Sequence, residues 1–351
     1  MKPTVPNVPL TVWKDLYNAA DRFKSLRPWE MLDDADVIGV RGASGGETGY
    51  GVVMGSGGTL FGFCLYRGAE GFDIYRRLME GAIDIERDDL FAMQNCLKLE
   101  LGPRSDLRPE DHAVIRQLGL SFRGKHVWPE FRSLLPGYAP WFLTQAEAQF
   151  LALGLNVACR HVGRIDNGDV DESMRDRGCL VYTPVAGAQT QFTAQWEPWP
   201  EPVREPLVLP VLNLPRINAL RAKKMKPDSA WEADVLYLPS PILDRERPYY
   251  LRLAAVCQQS SGFVFDVKPA SPEAQGSQTL ADVICSSMEK HGLMPETIFV
   301  RSEDDTEVLA PLAKALNVII RRRKKLKSIQ MLKEAMMERM VYGGGGGRRK
   351  K

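Results

Sequence analysis

Between residues 231 and 341 the chain sets out its apolar runs in one order: three strands, a helix, a strand, a helix, a strand and a last helix. Residues 233–238, 249–256 and 262–267 are short runs bounded by polar or turn residues, the pattern of strands. Ser260-Ser261-Gly262 fits a tight turn between the second and third runs. Residues 279–291 have helical spacing and end at Gly292, because glycine leaves a helix in the left-handed conformation at no steric cost. Residues 297–300 read as the fourth strand, 307–316 as a helix and 318–320 as the fifth strand. In 326–341, Ile329, Leu332, Met336 and Met340 form one apolar stripe, so this is the last helix. The order predicts an α/β domain with a mixed five-stranded sheet and helices.

The residues upstream read as an α+β domain. Trp13, Leu16, Tyr17, Ala20 and Phe23 give 10–26 the apolar face of a helix, with Thr11 as a candidate cap. Strands are expected at 37–40, 50–54 and 60–66, the last two joined by the hairpin turn Gly55-Ser56-Gly57-Gly58. A helix at 71–79, a strand at 93–101 and a helix at 109–118 follow. Residues 122–143 are dense in aromatics and prolines and read as irregular. Thr144 to Glu147 has the spacing of a capping box, opening a helix to about 162. Strands are expected at 179–185 and 190–196. Five prolines in 198–210 mark a linker, with a basic helix at 215–225 after it. The expected division is therefore 1–200, a linker and basic helix at 201–227, the α/β domain at 228–342, and a disordered Gly/basic tail at 343–351.

Composition narrows the setting. With 351 residues, 44 % hydrophobic and 26 % charged, the chain has the make-up of an ordinary soluble protein with two cores. The net charge is only +2, so any affinity for polyanions has to be local. No apolar stretch approaches the roughly 18 residues a membrane helix needs, and the first ten residues lack a signal-peptide core. No membrane contact and a cytoplasmic location are expected. Cys64, Cys96, Cys159, Cys179, Cys257 and Cys285 form no C-x-x-C pair, which favours reduced core thiols over zinc or disulfides.

Several motifs fail on context. Gly42-Ala43-Ser44-Gly45-Gly46 matches G-x-S-x-G, but a nucleophile elbow needs a helix after the serine and a strand follows here. The glycines at 55, 57, 58 and 62 form no nucleotide-binding loop. Asp166, Asp169, Asp171 and Glu172 miss the calcium-loop frame and read as a solvated acidic loop. The aromatic stretch offers Trp128, Tyr138 and Trp141 as a ligand or partner surface, although large rings more often pin a loop to the core. Basic clusters at 216–226, 321–325 and 348–351 are the candidates for phosphate contact. Arg321, Arg322, Arg323, Lys324 and Lys325 stand out because they lie between a strand and a helix.

Residues 231–318 resemble the integrase and transposase core, which has a ribonuclease H-like fold. Trp231-Glu232-Ala233-Asp234 is similar to that family's first strand, and 293–298 to the entry of its fourth. The resemblance implies two magnesium ions held by Asp234, by an aspartate ending the fourth strand and by a later glutamate. Here the second position is Arg301, a cation that repels metal. The whole chain to about 326 also resembles an uncharacterised bacterial two-domain family. The shared phrases are P-W-E-M with aspartates (28–36), V-M-G (53–55), G-x-x-F-R-G-K-x-x-W-P-x-F-R (119–132) and P-G-Y-x-P-W (136–141). That resemblance implies the two-domain layout and no activity.

The expectation is a degenerate ribonuclease H-like domain in a non-catalytic binding or adaptor protein with no cofactor. Its partners would be nucleic acid at the C-terminal basic face or an unknown protein. Two alternatives stay open. One is a magnesium-dependent nuclease with a rearranged site at Asp234, Asp304 and Glu334. The other is small-ligand or protein binding by the N-terminal domain.

Overall fold

The computed structural model describes residues 3–42, 46–83, 90–185, 191–201, 207–270 and 276–343. Ser44 of the G-x-S-x-G match and the tail after Gly343 lie outside them. The chain divides into two compact units, Met1–Arg204 with Leu243–Pro248, and Glu205–Ile242 with Tyr249–Lys351.

The first unit runs α1 (Leu10–Leu26), β1 (Val37–Arg41), β2 (Thr48–Met54), β3 (Phe61–Arg67), α2 (Gly68–Met79), α3 (Leu90–Met93), β4 (Cys96–Gly102), α4 (Pro109–Gln117), β5 (Trp128–Leu134), α5 (Gln145–Asp166), β6 (Gly178–Pro184) and β7 (Phe192–Pro198). Its seven strands are ordered β5-β4-β3-β2-β1-β6-β7, all neighbours antiparallel except β1 and β6. Alternation along the strands divides two cores. Phe63, Leu65, Leu97 and Leu99 pack with Leu16, Phe23, Leu151 and Leu155 of α1 and α5. Tyr50, Val52, Cys64, Tyr66 and Cys96 pack with Phe72 and Tyr75 of α2. Each fully buried Leu or Phe contributes about 1.5–3 kcal/mol. Gly51 makes room for this packing, since a Cβ there would lie 2.5 Å from the Phe63 ring. The capping box of α5 is formed: Thr144 N donates to Glu147 Oε2 (2.8 Å) and Glu147 N to Thr144 Oγ1 (3.3 Å).

Two local expectations change. Thr11 is not the cap of α1, because the helix already starts at Leu10 after Pro9. The aromatic stretch is not irregular throughout. Its residues Trp128–Leu134 form β5, paired along its length with β4 from Gly102↔Trp128 to Cys96↔Leu134.

The second unit contains α6 (Leu214–Ala222), β8 (Lys226–Ile242), β9 (Tyr249–Gln258), β10 (Val264–Ala270), α7 (Gly276–His291), β11 (Leu293–Val300), α8 (Glu303–Leu316), β12 (Ile319–Arg322) and α9 (Lys327–Gly343). The sheet order is β10-β9-β8-β11-β12. The β8–β9 and β9–β10 pairs are antiparallel, and β8–β11 and β11–β12 are parallel. The helix expected beside the linker is instead part of this unit: Ile217 and Leu220 of α6 are buried in a core with Trp231, Val283 and Leu309. The first strand is also longer than 233–238, beginning at Lys226 in parallel register with Leu293.

Candidate functional site

The site starts from the alternation in β8. Trp231 and Ala233 face the core shared with α7. Glu232, Asp234 and Leu236 therefore point to the opposite face, where Leu236 packs with Leu326 and Ile329. The parallel register pairs Phe299 with Glu232. Two residues further on, that register brings Arg301 alongside Asp234.

Both carboxylates are committed to the fold. Asp234 is buried and accepts a hydrogen bond from Arg301 Nη2, while its Oδ1 accepts one from Val235 N at 2.9 Å. Burial pushes its pKa from 3.8 up to about 6; the Arg301 guanidinium pulls it back down, and the charge of Asp305 adds to the rise. Glu232 is 1 % exposed, and its Oε2 accepts from the first-turn amides of α9, Ser328 N at 2.7 Å and Ile329 N at 3.3 Å. A carboxylate there satisfies orphan amides and meets the positive end of the helix dipole. Glu232 was not singled out from the sequence. Glu232 had a signal, since it stands two positions from Asp234 in a strand and so shares its face.

The rearranged nuclease site is not assembled. Asp304 is exposed at the start of α8. Its neighbour Asp305 is the carboxylate felt at Asp234, and Asp305 is itself engaged in capping α8 by Ser302 Oγ (2.6 Å). Glu334 is exposed on α9 and accepts from Gln330 Nε2 at 2.9 Å. Among the described residues no group of three His, Cys, Asp or Glu side chains is placed to hold a metal ion. The residues present do not fit the magnesium pair that the integrase resemblance implies, because a guanidinium occupies the one central carboxylate.

The basic run spans the end of β12 (Arg321, Arg322) and the turn into α9 (Arg323, Lys324, Lys325), at the edge of the sheet. Arg322 pairs with Glu303 (3.0 Å), and the Arg323 guanidinium lies 3.7 Å from the centroid of the Phe299 ring. Arg321, Lys324 and Lys325 are exposed and make no ion pair among the described residues. The cluster at 216–226 differs: Arg216 is spent on Glu289 (2.7 Å) and Asp282 (3.4 Å) of α7. Trp128, Tyr138 and Trp141 are half-buried, each beside a guanidinium: Arg104 at 5.7 Å, Arg247 at 5.8 Å and Arg108 at 5.1 Å. None of the three lines the cavity of about 300 Å³ in their unit, whose wall takes Phe142 from the aromatic stretch.

Residues 13–181 match the model of a domain of unknown function (DUF7309), and residues 216–337 match that of a second (DUF6930). The pair fits a two-domain family of uncharacterised function. No curated protein matches the chain. Among solved structures it is similar to the catalytic core domain of BIV integrase in crystal form I, at 10 % identity, with 34 % of this chain and 74 % of that chain covered and a TM-score of 0.26. No helix among the described residues is long and apolar enough to cross a membrane.

Proposed function

We propose that the second unit is a degenerate ribonuclease H-like domain that binds nucleic acid without cleaving it. Arg321, Arg322, Arg323, Lys324 and Lys325 form the contact, and the protein acts as a cytoplasmic adaptor. The observation that carries this reading is Arg301 seated on Asp234. A buried carboxylate that already holds a guanidinium keeps a positive charge where the metal ions would have to sit, and that charge repels them. The strand order third, second, first, fourth, fifth, with the last two parallel to the first, supports the fold assignment.

The turn between β12 and α9 supports the contact. The exposed cations, Arg321 in β12 and Lys324 and Lys325 on the loop after it, lie on a short segment held at both ends by the fold. Arg323 N donates to Val300 O at 2.8 Å on one side, and Glu232 fixes the start of α9 on the other. A fixed cluster of cations gains affinity for a phosphate backbone by releasing its counterions.

The test is binding of the full chain to labelled single- and double-stranded DNA and RNA across a salt series. Affinity for at least one polymer should fall steeply with salt. Changing Arg321, Lys324 and Lys325 together to Gln should flatten the log–log slope by up to about 3 on duplex DNA. No binding at low salt, or a slope untouched by the triple change, overturns the proposal.

A further inference from the structure

The first unit holds a cavity of about 300 Å³ lined by residues 5–10, α1, α4 and Phe142. That volume is at the lower end of those that take small molecules. Val8, Trp13, Val114 and Phe142 make an apolar wall with two flat faces. The covering segment is tied down: Val8 is buried and the Trp141 indole donates to Thr4 O at 3.0 Å.

Among the wall's buried side chains, one carries a polar group without a protein partner. Tyr17 is 5 % exposed, lines the cavity, and its hydroxyl makes no hydrogen bond among the described residues. The ring is buried while the hydroxyl is not among the fully buried polar atoms without a partner, so it is free to donate to an acceptor that enters the cavity. Burial first, and then the charge of Asp111, raise its pKa, so it remains a neutral donor.

Asp111 also lines the cavity but is already satisfied. Arg132 holds it through two nitrogens (2.9 and 2.6 Å), and Arg108 N donates to it at 2.9 Å. Arg132 further pairs with Glu130 at 2.8 Å. Glu110 stands exposed on the rim. Of the two charged residues in the wall, Asp111 and Glu110, only Asp111 has a guanidinium partner among the described residues. The surplus is negative and disfavours anions.

We infer that this cavity binds a small uncharged aromatic molecule carrying one carbonyl-type acceptor. The acceptor meets the Tyr17 hydroxyl, and the ring lies between Trp13 and Phe142. The site does not depend on the nucleic-acid reading, since all its residues belong to the first unit.

The probe is benzamide, titrated into the full chain while the methyl signals of Val8 and Val114 are followed by NMR. Benzoate, of the same size but anionic, is the control. Benzamide should shift both valines saturably and benzoate should not. Tyr17→Phe should weaken benzamide by roughly three- to tenfold, the loss of one neutral hydrogen bond. Val114→Met should weaken it too, by narrowing the space. Valine signals that benzamide leaves unmoved overturn the inference, as does equal benzamide affinity in wild type and Tyr17→Phe. Benzoate binding as tightly as benzamide overturns its charge selectivity and with it the class proposed.

Discussion

Asp234 meets two opposing forces, burial against ionisation and a guanidinium favouring it, and burial prevails: the folded pKa rises from 3.8 to about 6. Between these values the folded chain binds a proton that the unfolded chain has released. The folded state therefore loses relative stability as pH rises from about 4 to about 6, and the loss is complete above that window. Asp234→Asn removes the titration and leaves Arg301 facing an amide at every pH. Urea unfolding of both proteins at pH 4 and pH 7.5 checks this. The advantage of wild type over the variant should shrink by up to about 3 kcal/mol on going to pH 7.5. An advantage that grows with pH would mean that Arg301, not burial, governs the carboxyl.

Among the elements, β5 and α4 are joined by the least exposed ion pair shown among the described residues of the first unit. Arg132 and Asp111 side chains are 3 % and 9 % exposed. Removing one partner of such a pair leaves a charge buried alone, at a cost of about 3–5 kcal/mol. Arg132→Met should lower unfolding free energy by that amount, measured in denaturant. A change below 1 kcal/mol would show that water reaches Asp111 once the arginine is gone. β5 itself was hard to read because Trp128-Pro129 and the prolines after it suggested an irregular segment, while its strand character comes from pairing with β4. The same reason hid the full length of β8, whose ends contain Pro227 and Pro241 and extend only because neighbouring strands hold them. The capping box at Thr144 was legible because it is local, three residues from donor to acceptor. The cap of α9 was not, because Glu232 lies 96 positions from Ser328.

At the scale of the whole molecule, the element order of the second unit was legible from apolar periodicity alone, and so was the cation at position 301. What that cation touches was not, because it depends on the parallel register of β8 and β11. Register also decides which carboxylates can meet. It leaves Asp304 and Glu334 in solvent and gives Asp234 to Arg301. The cavity beside Tyr17 left no local trace either, since three separate segments line it. The most direct test of the central claim is the side-chain carboxyl carbon signal of Asp234, followed by NMR at pH 7 as magnesium is added to the full chain. With Arg301 on the carboxylate the signal should stay where it is through millimolar magnesium. A saturable shift of Asp234 would mean that the metal displaces the guanidinium, and the unit would then have to be treated as a nuclease.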